Sequence, residues 1–218
     1  MTLTSPPRRF LWVTWLTGLF AGDKQCEWAA WFRGRNRGYL KREDPTSQLS
    51  LWKTQHAAML DEEAKKLETA GWRVTLENQN KFTLRGEHAI VGGKMDVIAR
   101  RESTKQVTVV DCKTGEPRDS DVWQVVMYVL AAEHLGLVPP GWTLSGLVCY
   151  ARPAYKDRAI IAPLHRDHVA RIGEVVRRVS AATEPRRAPS FAECRFCDIA
   201  ACPDRISEEG WQTDTQVF

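Results

Sequence analysis

Apolar and polar positions change their spacing several times along this chain, and each change marks an element. Residues 1–50 look helical and aromatic, with Trp12, Trp15, Trp28 and Trp31 placed around Cys26. Leu51 to Gly71 reads as an amphipathic helix: Met59, Leu60 and Leu67 mark its apolar stripe, His56 falls on the same face, and Gly71 supplies the C-cap. From Trp72 to Leu84 the period shortens to alternation, predicting a strand or hairpin interrupted by Glu77-Asn78-Gln79-Asn80. Within Ala89 to Arg101, Gly92-Gly93 predict a turn or bulge, and Met95-Asp96-Val97-Ile98-Ala99 an apolar strand with one acid embedded in it. After a polar turn at Glu102 to Gln106, the run Val107-Thr108-Val109-Val110 predicts a buried strand that delivers Asp111, Cys112 and Lys113. Thr114-Gly115-Glu116-Pro117 breaks that strand, and a helix capped by Ser120 or Asp121 runs on to about Gly136.

Beyond the breaker Pro139-Pro140-Gly141 come a strand over Thr143 to Ala151, a short one over Ala159 to Pro163, and a basic helix from His168 to Ala182. Pro185, Pro189 and Ser190 mark a linker. Helices, then strands, a helix and more strand predict an α/β fold with helices packed on a mixed sheet. Three segments follow: an N-terminal helical one over 1–50, a core over 51–182 and a cysteine-rich one over 183–218.

Composition narrows the class only a little. With 27% charged and 43% hydrophobic residues in 218, the chain is an ordinary globular protein with enough length for a real core. A net charge of +4 permits a polyanionic partner without requiring one. Arg33, Arg35, Arg37, Lys41 and Arg42 gather around Tyr39, either as a solvated irregular connection or as phosphate contacts beside an aromatic for base stacking. The apolar run from Phe10 to Phe20 is about half the length that spans a bilayer and reads as a packed element, so cytoplasm is the expected compartment.

Alternate residues of a strand point the same way, so Asp111 and Lys113 leave the strand end side by side. An ionised Asp96 in an apolar strand is costly unless paired or metal-bound, or unless that strand lies at an edge with the acid facing water. A lone histidine on a helix face is ordinarily a core residue. If the Asp96 and Asp111 strands are neighbours, however, His56, Asp96, Asp111 and the Cys112 carbonyl could surround Mg²⁺ or Mn²⁺ and leave room for water and a phosphate oxygen. Lys113 would then steer the water or stabilise charge on the phosphate.

The complete series, G-x-x-D at Gly93 to Asp96, D-x-K at Asp111 to Lys113 and Q-x-x-x-Y at Gln124 to Tyr128 with a helical histidine upstream, resembles the PD-(D/E)XK nucleases, and more narrowly their RecB-like branch. The resemblance covers about Leu51 to Leu135. It implies a restriction-endonuclease-like mixed central sheet flanked by helices, with His56, Asp96 and Asp111 as metal ligands and Lys113 as the catalytic lysine. Gln124 and Tyr128 would line the DNA channel. Met95 stands where the family name has proline, and Asp111 where glutamate is commoner; the shorter carboxylate bears on metal preference.

Of the six cysteines, Cys112 and Cys149 lie in apolar strand-like runs and read as core. Cys194, Cys197 and Cys202 form a C-x2-C-x4-C-P loop, one thiolate short of a tetrahedral or cubane site, and Cys26 is the natural fourth. A [4Fe–4S] cluster or a structural Zn²⁺ would use the same four residues. One N-terminal cysteine plus a C-terminal trio is similar to the iron–sulfur subset of RecB-like nucleases, which includes the AddB helicase–nucleases and the small CRISPR-associated exonucleases. The chain length fits the small type or a free-standing relative.

The expected function is a Mg²⁺- or Mn²⁺-dependent deoxyribonuclease acting at single-stranded DNA ends, with a possible protein partner in CRISPR adaptation, repair or defence. A non-catalytic DNA-end-binding subunit of an integrase or helicase complex and a structure-specific endonuclease are the alternatives.

Overall fold

The structure, a computed structural model, describes residues 9–42 and 49–207. Arg8, residues 43–48 and the outermost parts of the two terminal segments, 1–8 and 208–218, lie outside the described residues.

Among the described residues, eight strands and six α-helices form a mixed α/β architecture with helices on both faces of the central sheet. The five-stranded sheet has the order β2 (Arg73–Leu76), β5 (Val97–Arg101), β6 (Gln106–Lys113), β7 (Thr143–Tyr150), β8 (Arg158–Ile161). Its pairings are antiparallel except for β6 and β7, which run parallel with Asp111 opposite Val148 and Cys112 opposite Cys149. A second sheet has the order β1 (Arg9–Trp12), β4 (Ala89–Lys94), β3 (Lys81–Arg85), with β1 parallel to β4.

The described part of the N-terminal segment therefore starts with a strand, not a helix. The run Arg9-Phe10-Leu11-Trp12 is too short to declare its period, and its pairing with Gly92 and its neighbours decides the matter. Gly92-Gly93 likewise lie inside β4 instead of forming a turn. A Cβ on Gly92 would stand 2.5 Å from the Phe10 ring, and one on Gly93 would stand 2.4 Å from the Phe82 ring. The glycines are there because two aromatic rings lie flat against the strand.

The expected hairpin over Trp72 to Leu84 is also replaced. β2 joins the larger sheet and β3 the smaller, so Glu77 to Asn80 connects two sheets. Met95 and Asp96 make the return crossing between β4 and β5. Asp96 thus sits at a break between strands and not within one.

α1 (Val13–Ala21), α4 (Asp119–His134) and α5 (Arg166–Ser180) share the large core with Val107 and Val109 of β6. α3 (Leu49–Thr69) covers the opposite face, where Leu60 meets Val97, Val110, Cys112 and Cys149. Alternation along β6 therefore aims Asp111 and Lys113 at α4, while Val110 and Cys112 face α3. Each fully buried valine on these faces contributes roughly 1.5–3 kcal/mol relative to exposure.

α3 ends as expected at Gly71, whose φ of +84° lets Trp72 N donate back to Leu67 O. α4 is capped by Arg118 instead of the expected Ser120 or Asp121, and so begins at Asp119. Asp121 lies inside the first turn and accepts from Arg118 N at 2.9 Å. α5 also starts early, by two residues, because the His165 side chain accepts from Asp167 N.

Among the described residues no helix is long and apolar enough to cross a membrane.

Candidate active site

β6 ends at the centre of the fold, and its last side chains meet α4. Asp111 is wholly buried: Oδ1 accepts from Gln124 Nε2 at 2.9 Å, and Oδ2 lies 2.5 Å from Lys113 Nζ with no other partner among the described residues. Lys113 Nζ also donates to Gln124 Oε1 at 3.2 Å. Gln124 thus clasps the acid with its amide N–H and the ammonium with its carbonyl. The same Nε2 donates to Tyr128 OH at 2.8 Å, one helical turn along.

Asp96 approaches from the crossing between the sheets. Its Oδ2 accepts from Cys112 N at 2.9 Å, so the main chain between Asp111 and Lys113 fixes it. His56 arrives from α3, with Nε2 3.7 Å from Asp96 Oδ2. Its Nδ1 is buried with no partner among the described residues, and the ring is oriented instead by stacking on Trp52 at 5.2 Å.

A residue that the sequence reading took only as part of a polar interruption completes the group. Glu77 Oε1 lies 3.6 Å from His56 Nε2, and donor atoms of His56, Glu77 and Asp96 all fall within 4.8 Å of one another. Asp111 stands beside this trio. All these side chains line one cleft of about 360 Å³, together with Trp12 and Trp52, which are 40% and 47% exposed at its walls.

The charges here are strained by burial. Desolvation pushes the Asp111 carboxyl up to about 7, with Lys113 pulling it down and Asp96 pushing it further up. Burial raises Asp96 as well, although the Cys112 N–H and Lys113 oppose the shift. Burial lowers His56, keeping an imidazole nitrogen free to act as a ligand. At Lys113 burial works against the ammonium, but Asp111 and Asp96 more than compensate and raise its pKa.

The residues fit a hard divalent cation. Two carboxylates and an imidazole converge on one point, and a third, wholly buried carboxylate beside them has Lys113 as its only counter-charge among the described residues. All the acidic, imidazole and lysine residues expected from the sequence, with Gln124 and Tyr128, reach the same cleft. Cys112 forms part of its wall, and burial pushes its thiol and that of Cys149 up, so both remain protonated core groups.

The other four cysteines meet elsewhere. Cys26, Cys194, Cys197 and Cys202 line a single cavity between α2 (Glu27–Arg35) and the C-terminal residues, and all are free thiols. Glu193 accepts from Gln25 N at 2.9 Å and Cys26 N at 3.3 Å. Arg205 donates to the Cys194, Cys197 and Ile199 carbonyls at 2.6–3.0 Å.

The basic cluster belongs to this junction. Arg33 pairs with Asp198 at 2.7 Å and reaches Cys197 Sγ at 3.8 Å; Arg35 binds the Ser180 and Ala181 carbonyls at the end of α5; and Arg42 binds Arg195 O. Two of the five cluster residues lie in α2, so the expected irregular connection starts after Arg35. Their hydrogen-bonding capacity is turned inward, onto C-terminal acceptors, and three of the five are taken up in this way.

The fold is shared with a solved structure. The crystal structure of SSO0001 superposes with a TM-score of 0.53 at 15% identity, covering 94% of this chain and 91% of that one. No match is found among the curated proteins. A family model for the PD-(D/E)XK nuclease superfamily matches residues 23–203, spanning the acid cleft and all four cavity cysteines. With most of its length matched by that model, the chain belongs to the PD-(D/E)XK nuclease superfamily.

Proposed function

We propose that this protein is a metal-dependent deoxyribonuclease of the RecB-like branch, hydrolysing phosphodiester bonds as an exonuclease at single-stranded ends. The observation that carries the reading is the clasp of Asp111 and Lys113 by Gln124 at the floor of a cleft that also holds His56, Asp96 and Tyr128. Mg²⁺ or Mn²⁺, held by His56, Asp96, Asp111 and the Cys112 carbonyl, would neutralise phosphate charge and ease deprotonation of the attacking water. Lys113 points its ammonium at the same space, where it orients the water and offsets negative charge gathering on the phosphate. Gln124, bonded to both, keeps acid and ammonium side by side. Trp12 and Trp52, exposed on the cleft walls, offer flat faces on which unpaired bases can stack, and this favours a single strand over a duplex.

The same reading gives the cysteine cavity a [4Fe–4S] cluster on Cys26, Cys194, Cys197 and Cys202. Four free thiols on one cavity, with Arg33 beside Cys197, form a donor set suited to thiolate ligation. A brown preparation containing iron and no stoichiometric zinc is the expected result; colourless, zinc-loaded protein would replace the cluster with a structural zinc site. Linear and circular single-stranded DNA separate the activities: an exonuclease leaves the circle intact, whereas an endonuclease opens it. A protein partner in CRISPR adaptation, repair or defence belongs to this proposal.

A further inference from the structure

Glu77 is placed at the cleft by the main chain. Its N–H donates to Asp96 O at 2.9 Å, and Met95 N donates to Asn80 O at 3.2 Å. Buried Asn80 closes the turn, with Nδ2 donating to Thr75 O and Oδ1 accepting from Thr75 Oγ1, both at 2.7 Å. The outgoing and returning crossings between the two sheets are thus bonded to each other, and Glu77 cannot drift from Asp96. An ordinary surface ion pair needs no such anchorage.

One carboxylate oxygen is shared by two partners. Glu77 Oε1 lies 3.6 Å from His56 Nε2 and 2.8 Å from Lys94 Nζ, and all three residues line the cleft. Lys94 is the last residue of β4, two before Asp96, and its side chain is 38% exposed, so its ammonium has water to retreat into. A divalent ion among the trio's donor atoms would claim the oxygen that the ammonium now holds, and the two cations would repel each other at that range. An exposed lysine loses little by leaving such a pair.

We propose that Glu77 is a ligand of the divalent cation and that Lys94 is its built-in competitor, holding the carboxylate until the ion enters and yielding it then. The inference rests on the metal-dependent reading above and adds to it a residue, and a reason for metal uptake to be gated. It makes opposite demands on two neighbouring side chains. Loss of Glu77 weakens metal binding, loss of Lys94 strengthens it, and the second effect disappears once Glu77 is gone.

The test is calorimetric titration of Mn²⁺, without nucleic acid, into the full chain and its Glu77→Gln, Lys94→Met and doubly substituted forms. Melting curves without metal check that each variant is folded. The expected result is about tenfold or more weakening for Glu77→Gln, severalfold tightening for Lys94→Met, and no further change when Lys94→Met is added to Glu77→Gln. Wild-type affinity in Glu77→Gln, or equal tightening by Lys94→Met in both backgrounds, overturns the proposal while leaving the nuclease reading in place. A wild-type chain that takes up no Mn²⁺ overturns both. Should Glu77→Gln fail to fold, Lys94→Met alone decides, since unchanged or weakened binding contradicts the competitor role.

Discussion

The molecule gathers side chains of metal-ligating types in two places, and it builds the two groups in opposite ways. The acid cleft draws its charged and amide groups from residues 56 to 128, assembled around the end of β6 where both core faces meet. The cysteine cavity draws on the two ends of the chain, with Cys26 and its neighbour Glu193 separated by 167 positions. In the cleft, hydrogen bonds hold charged groups in a place where burial opposes their charge: Asp111 is wholly buried and shifted to about 7. At the cavity, hydrogen bonds and ion pairs join segments to each other, and the arginines spend their donors on carbonyls and on Asp198. A site poised for reaction is stressed, whereas a site that ties a fold together is satisfied.

Substitutions should separate the two sharply. Asp111→Ala or Lys113→Ala is expected to lower Mn²⁺-supported DNA cleavage by about 100-fold to 1,000-fold or more, with iron content unchanged. Cys197→Ser is expected to do the reverse. It should lose iron and destabilise the fold by about 2–4 kcal/mol, by analogy with other long-range cross-links, or roughly 5–15 °C. Cleavage should survive at temperatures where the variant remains folded. Calorimetry, iron analysis and a nuclease assay on the same samples check both halves; equal loss of cleavage in the two classes would erase the distinction.

A smaller effect sharpens it. Arg33→Met removes one of the two donors to Asp198 and the contact with Cys197 Sγ while leaving all four cysteines in place, and should lower stability by about 1–2 kcal/mol while leaving Mn²⁺ binding unaltered. Burial pushes the Asp198 carboxyl up, but hydrogen bonds from Tyr39 and Arg33 bring it below its ordinary value. Its contribution is therefore complete above the unfolded value, near 3.9, and is lost as pH falls through the depressed folded value. Denaturant titrations of both forms down to pH 3 measure the difference.

The cleft has the opposite pH signature. Asp111 in the metal-free protein keeps its proton up to about 7, against 3.8 as its ordinary value. That acid's contribution is thus complete below about pH 4, declines between about 4 and 7, and is constant above. A cation bound by Asp111, as proposed, would expel the same proton, so the rise in melting temperature caused by Mn²⁺ should grow up to about pH 7 and then level off. Asp111→Asn should remove the decline and much of the metal effect. A Mn²⁺ effect that is flat with pH in the wild type would show that Asp111 stays outside the ion's reach.

How much of this could be read from the chain depends on how local each cause is. The alternation that puts Asp111 and Lys113 on one face, and the helical spacing that sets Gln124 over them, are properties of two short segments. Both are visible in the order of residues. Glu77 was hidden because its place depends on main-chain bonds between two sheet crossings, and its segment reads as a polar loop. Gly92 and Gly93 misled for a related reason. Paired glycines ordinarily signal a turn, and only the Phe10 and Phe82 rings, distant in sequence, explain them inside β4. β2 and β3 look like a hairpin by spacing, yet each finds its partner in a different sheet, a choice made by long-range burial. The Arg33 to Arg42 cluster could be read only as charge; that it faces Asp198 and C-terminal carbonyls is a fact of tertiary structure.

The most direct measurement is cleavage of end-labelled linear single-stranded DNA with Mn²⁺ by the wild type, Asp111→Ala and Lys113→Ala proteins, with melting curves from the same preparations. The account predicts degradation by the wild type and none above background by either folded variant. Undiminished cleavage by both variants, or no cleavage by a folded, metal-supplied wild type, would contradict it.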